Sequence, residues 1–536
     1  MRIKLFILIG IAAVALMTAL YITSSRKVRN HASDKIAVSP ATTRILAPLK
    51  PDGHIDYIAA LNQRFGEGVT PENNSVALLW QALGPNAVDA AIREQYFKML
   101  GVQAPSPNID LLKSLEVGVS SPDSRQSGGR SGQSHAVMLI DQLITDGSER
   151  PWSAAEFPQL AAWFAANDAS LELLLKGSLR PRYYSPLIST DKRPNVASTA
   201  TTFLPAVNVM RQAARVLVAR GMLRIGTRQV EKAIQDSLAC HRLARLAGQS
   251  PSVLESLVAI SVDSFANRLD LSIAEQDGLT AEKSRQFSNA LKGLAAMPDI
   301  GQKIDLMERF SVLDIIAVLD EKQTLKVSAI GQNGFRLADD FDLAKEVDRV
   351  DLNLVLRRAN EWIDRSVQAC RQPTVLGRKA ACSDFNRSMK TMGDELKAAE
   401  AHLNAMGDDE LSHWCADKLV ASNYSGTALQ ITAKDRVLEQ VDLVQVALAL
   451  AAYRAEKKSN PAKLADLVPN YIDAIPNDMF SGQELHYARA ETGYLLYSVG
   501  PNGIDDGGAD CESDPNADDI AVRASRKPPD NTRPMP

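Results

Sequence analysis

Apolar positions along the chain fall into three regimes. Residues 5–22, LFILIGIAAVALMTALYI, carry no charge. A helix of that length would span about 27 Å, against roughly 30 Å for the hydrocarbon core of a bilayer. From about residue 53 to 430 apolar residues recur at helical spacing, broken by glycine, proline and polar stretches. After about residue 434 the pattern changes again, to one strongly apolar helix and then to the short alternating runs of strands.

The middle regime predicts short amphipathic helices at 56–65 and 75–83, with Gly66, Gly68 and Pro71 as punctuation between them. Its clearest block is 203–277. Val207, Met210, Ala214, Leu217 and Gly221 form one helical stripe, Gly226 stops it, and Thr227 is placed to cap a second helix through about Ala247. Gly248 ends that helix. Ser250 and Pro251 start a third, with Leu254, Val258, Val262, Phe265 and Leu269 on one face. Further helices are predicted at 282–297, 304–325, 340–368 and 384–406, and 120–134 (SSPDSRQSGGRSGQS) reads as a mobile surface loop. The pair at 204–247 resembles a tetratricopeptide-type helical hairpin in its small-residue spacing. A 34-residue repeat is not found elsewhere, so an irregular helical bundle is expected rather than a repeat array.

In the last regime, residues 435–458 place Val437, Val441, Val444, Leu448 and Ala451 on one line and Leu443, Val446, Leu450 and Tyr453 on another. Most of that helix's circumference should therefore be buried. Pro461, Pro469 and Pro476 punctuate the segment after it, and LHYAR (485–489) with YLLYSV (494–499) reads as a β-hairpin through Gly493. The stretch GPNGIDDGGADCESDPNADDI (500–520) then gathers Asn502, Asp505, Asp506, Asp510, Asp514, Asp518 and Asp519. Calcium takes six to eight oxygen ligands from carboxylates and carbonyls, which glycine-rich turns can bring together. A solvated acidic loop is the alternative reading. Together with ALAAYRAEKKSNPAKLADLVP, IPNDMFSGQELHY and GYLLYSVGPNG, this region resembles the C-terminal half of the major pseudopilin of type II secretion, over about 90 residues. The resemblance implies a long helix, a proline-marked loop, a small antiparallel sheet and a calcium loop. Asp519 before Ile520 is its best-matched ligand, with Asp505, Asp506 and Asp518 beside it. Unlike a pseudopilin, the chain has no prepilin-type start and separates its apolar N-terminal run from the core helix by about 410 residues.

Composition narrows the classes. The 536 residues are 45% hydrophobic and 23% charged with a net charge of −4, ordinary globular values that give no basic footprint for nucleic acid. Five cysteines without a C-x-x-C pair exclude a disulfide scaffold. Cys370 and Cys382 can be read as a short bridge or as buried thiols. No G-x-S-x-G elbow or phosphate-binding glycine loop occurs. His402, His413 and Cys415, beside Asp408, Asp409 and Glu410, lack zinc spacing. His135 and His241 stand alone and read as structural, and the acidic run Asp340, Asp342, Glu346, Asp348 and Asp351 reads as a solvated, salt-bridged face.

Arg2 and Lys4 precede the apolar run and Arg26, Lys27 and Arg29 lie after it, so flanking charge barely sets its orientation. An uncleaved anchor fits better than a cleaved signal, because the run exceeds a signal core and lacks a small-residue cleavage site; a cytosolic chain is a third reading. The expectation is a mainly α chain. Residues 1–25 form a signal-anchor, 26–52 a tether, 53–430 a helical body, 431–523 an α+β head with an antiparallel sheet, and 524–536 a disordered tail. This layout resembles that of large bacterial membrane-anchored proteins with no assigned activity. The function it suggests is a non-enzymatic extracytoplasmic scaffold, on the periplasmic or surface side of a cell membrane, with protein partners on the helical body and calcium as the one candidate cofactor. An extracytoplasmic hydrolase with dispersed catalytic residues is the alternative.

Overall fold

The computed structural model describes residues 20–21, 36–106, 141–189, 199, 202–320, 328–329, 349–423, 427–511 and 513–525. Most of the expected anchor, the 120–134 loop, His135, the acidic positions 340–348 and the tail beyond residue 525 lie outside the described residues. Leu20 and Tyr21, at the end of the apolar run, pair antiparallel with Ala329 and Ser328. Among the described residues no helix is long and apolar enough to cross a membrane.

The chain is mainly helical with a small antiparallel sheet at its C-terminal end. Residues 36–52, expected to be a tether, are fastened down. Ala37 N donates to Asn353, Asn360 donates to the carbonyls of Ala41 and Thr42, and Lys50 pairs with the buried Asp314 at 3.2 Å. Helices α1 (Tyr57–Gly66) and α2 (Ser75–Leu83) come next, as expected. Asp56 and Asn74 are their caps, each side chain accepting a first-turn N–H. The helices α3 (Arg93–Met99), α4 (Pro158–Ala166) and α5 (Asp168–Ser178) complete an aromatic end of the body around Trp80, Tyr96, Trp152 and Trp163.

Three long helices form the centre: α6 (Ala206–Gly226), α7 (Val230–Ala247) and α8 (Val253–Ala274). Their order matches the sequence pattern, but two caps move. Thr227 does not cap α7; its hydroxyl turns back to the Leu223 carbonyl, 2.9 Å away, and closes α6. α8 is capped by Ser252, which accepts from Leu254 N, rather than by Ser250. Gly226 is required where α6 ends, since a Cβ there would lie 1.9 Å from the Trp152 carbonyl oxygen.

A second core gathers α10 (Arg309–Asp320), α11 (Leu352–Cys370), α12 (Val375–Ala399) and α13 (Asp408–Asn423), after the short α9 (Ala281–Lys292). α10 is entered through a π-helical turn, Ile304–Glu308. α12 begins nine residues before its expected start at 384, because Thr374 caps it and its first turn leaves Leu376 exposed beside Gly377, Arg378 and Lys379, so no apolar stripe marks the start. α14 (Thr427–Lys457) then runs past all three cores. Ile431 and Val437 enter the second, Val444 and Leu448 the first, and Val446 and Leu450 the third, beneath the sheet. That sheet has the order β1 (His486–Ala490), β2 (Gly493–Ser498), β3 (Ile520–Ser525), all antiparallel, with His486 opposite Tyr497 and Ser498 opposite Ile520. The hairpin was expected; β3, which follows the acidic loop, was not, although Ile520, Val522 and Ala524 alternate as the buried face of its six residues.

Candidate functional site

The acidic loop, residues 499–519, joins β2 to β3. Gly500 lets it turn: φ is +66° and a Cβ would meet the Asp518 carbonyl oxygen at 2.2 Å. Asp519 is fully buried, and its Oδ2 accepts from the Gly508 and Asp506 N–H groups at 2.7 and 3.1 Å. Its Oδ1 is buried with no hydrogen-bond partner. Asp518 accepts from Asn502 N at 3.1 Å and donates its own N–H to Asp506 at 3.3 Å, so Asp506, Asp518 and Asp519 are tied together through the backbone. Asp505 turns the other way, toward the Tyr497 hydroxyl at 3.0 Å and His486. Burial pushes the Asp518 and Asp519 carboxyls up, whereas the Gly507 N–H and the Tyr497 hydroxyl pull Asp505 down.

Three cations brace the loop from outside. Arg436 donates to the Asp518 carbonyl at 3.1 Å, Lys379 to the Pro501 carbonyl at 2.8 Å, and Arg523 to the Gly508 carbonyl. Among the described residues no three His, Cys, Asp or Glu side chains gather closely enough to hold a metal. A cation here would therefore draw on backbone carbonyls as well as carboxylates.

A second polar group lies inside the body, between α7 and α8. Ser237, His241 and Arg245 share one face of α7; Asp263, Asn267 and Asp270 share the facing stripe of α8. His241 Nδ1 is 2.6 Å from Asp263 and Nε2 is 2.8 Å from Asp270, while Arg245 donates to Asp263 and Ser237 to Asp270. Burial opposes a charge on His241, but the Asp270 and Asp263 carboxylates outweigh it and lift the ring to about 9. The imidazole is thus charged at neutral pH, with both nitrogens committed. It can neither accept a proton from a nucleophile nor reach solvent. His241 stands alone in the sequence, and the signal for its partners was the helical spacing of Asp263, Asn267 and Asp270.

A third group surrounds the N-terminus of α8. Tyr183 and Ser250 donate to the buried Glu255, and Val253 N donates to Glu308 Oε1 at 3.3 Å. Glu308 Oε2 is buried without a partner. Burial raises the Glu308 carboxyl to about 7 and lowers the Lys303 ammonium, which faces Glu255, to about 8. The cleft beside them, lined by Asn62, Tyr183, Tyr184, Ser250 and Glu255, holds about 10 Å³, room for one water. Sequence patterning missed this group because its members come from four separate segments.

His402 and His413 do not join Cys415, which is buried in the second core while His413 is exposed on α13. Asp351 caps α11 and pairs with Arg357 at 3.8 Å, and Arg349 pairs with Asp408 at 3.0 Å. No family model, curated protein or solved structure matches the chain. Its class is therefore the one its fold defines, a helical bundle closed at its C-terminal end by a small antiparallel sheet with an acidic loop.

Proposed function

We propose that the chain is a membrane-anchored extracytoplasmic scaffold whose helical body binds other proteins, and whose pseudopilin-like C-terminal module carries a calcium loop. The observation that favours a scaffold is the His241 group: a charged imidazole with both nitrogens committed to carboxylates joins α7 to α8. The membrane assignment rests on the uncharged run at 5–22. The pseudopilin reading rests on the order of long helix, proline-marked loop, β-hairpin and acidic loop, with β3 after the loop.

The donor set suits calcium in one specific respect, the unpartnered buried Oδ1 of Asp519. Asp506, Asp518 and Asp519 would hold the ion, with Asp505 recruited from Tyr497, and the ion would supply the charge that a buried carboxylate lacks.

Fractionation with protease access tests the location. The full chain should sediment with membranes, resist extraction by salt and alkali, and lose its body to protease added from outside once any outer envelope is opened. A body protected in such cells, or a chain released by salt alone, would overturn the assignment.

A further inference from the structure

We propose that Glu439 is a pH-sensitive latch: as a neutral acid it seats the turn 477–484 of the C-terminal module on α14, and on ionising it lets that turn go. The turn is closed by an antiparallel bridge between Asn477 and Glu484. Phe480 enters the third core, while Asn477, Gly482, Gln483 and Glu484 face solvent. Glu439, partway along α14, is fully buried beneath it, and its Oε2 accepts from Met479 N at 2.8 Å. The Oε1 atom of the same carboxyl is buried with no hydrogen-bond partner.

The residue before Met479 is a second fully buried acid, Asp478. Its Oδ1 accepts from Phe480 N at 2.7 Å and Ser481 N at 3.2 Å, and its Oδ2 from Val499 N at 2.9 Å. Three backbone donors suit a carboxylate, which when ionised only accepts. Glu439 has one such donor and an orphaned oxygen. The charged groups facing it are Asp478 from the turn and Asp442 from its own helix. Cations of the packed elements are committed elsewhere: Arg378 of α12 to Asp435 at 2.5 Å, Arg436 of α14 to the Asp518 carbonyl at 3.1 Å, and Arg523 of β3 to the Gly508 carbonyl. An unpaired anion next to a second carboxylate in an apolar core is costly, so Glu439 keeps its proton. Burial first, then Asp478 and Asp442, push it from 4.5 up to about 8. Its contribution is therefore fully present below pH 4.5 and lost as pH rises through 8. Lifting the turn hydrates the ionised carboxylate. Because Asp478 also holds Val499 N, the opening reaches the root of the acidic loop while leaving the sheet paired.

Hydrogen exchange of the full chain, read by mass spectrometry and corrected for the intrinsic pH dependence of exchange, tests this. From about pH 6 to about pH 9 the amides of Met479, Phe480 and Val499 should open roughly a hundredfold more often, levelling off above about pH 8, while those of α11 change far less. Glu439→Gln keeps an acceptor for Met479 N but cannot ionise, and should abolish the rise. Asp442, which burial raises only to about 6, is already charged over most of this range, so Asp442→Asn should leave the rise in place. A flat profile in the native chain, a rise shared equally by α11, a rise that survives in Glu439→Gln, or one that vanishes in Asp442→Asn would each overturn the proposal. If Glu439→Gln does not fold, the native profile decides: a local rise that levels near pH 8 supports the latch and a flat one overturns it.

Discussion

His241 and Glu308 are buried titratable residues whose protonation the fold sets in opposite surroundings, one between two carboxylates and one in an apolar turn. Raised from 6.5 to about 9, His241 contributes stability that is fully present below pH 6.5 and lost as pH rises through 9. The ceiling is roughly 3 kcal/mol, at about 1.4 kcal/mol per pH unit. Glu308, raised from 4.5 to about 7, also favours the folded state most at low pH, but its window lies between those two values. Urea melts of His241→Asn should show the native chain's advantage shrinking from near pH 6 to near pH 9. Melts of Glu308→Gln should show the variant gaining on the native chain between about pH 4.5 and 7. Curves parallel to the native one across these windows would refute the assigned protonation states. Removing His241 also leaves Asp263 and Asp270 short of a counter-charge, so a loss of about 3–5 kcal/mol is expected near pH 6. A lone histidine gives no hint of this in sequence, because its partners lie 22 and 29 residues away and only the antiparallel return of α8 brings them close.

At the scale of elements, helices with a continuous apolar stripe were legible, and those without one were not. The α6–α8 block keeps to its periodicity, whereas the start of α12 has no apolar stripe and is fixed by the Thr374 cap. The β1–β2 hairpin was legible from alternation, but β3 depends on pairing with β2, which local pattern does not record. The acidic loop's composition was plain, but the division of labour within it was not. Asp519 is buried, Asp505 faces Tyr497, and Arg436, Lys379 and Arg523 already hold its carbonyls. Calcium at a hundredfold over its Kd would add about 2.7 kcal/mol to stability. Thermal melts of the full chain should therefore rise with calcium, fall back with chelator, and lose the difference in Asp519→Asn. Magnesium should do less, since it holds its waters and demands octahedral geometry. Identical melts with calcium and chelator would leave the three cations as the loop's sole counter-charge and remove calcium from the functional reading.

For the whole molecule, α14 decides whether the body and the C-terminal module behave as separate units. Over 31 residues, roughly 46 Å, it gives Ile431 and Val437 to the second core, Val444 and Leu448 to the first, and Val446 and Leu450 to the third. The sequence showed that most of this helix's surface is buried; which partners bury it is decided only by the tertiary arrangement. A helix that must be formed for three cores to close couples their unfolding, so the chain should melt in one cooperative transition. Leu448→Ala, in the first core, and Leu496→Ala, in β2 of the sheet, each remove a side chain at most 1% exposed, and each should cost about 2–5 kcal/mol. The informative outcome is where that loss appears. If α14 couples the cores, both variants lower the midpoint of the whole transition, and proteolysis at the sheet and in the body quickens together. A Leu496→Ala chain that lost its sheet early while the body melted at the native temperature would show that the module unfolds alone. α14 would then be a shared spine without being a cooperative link.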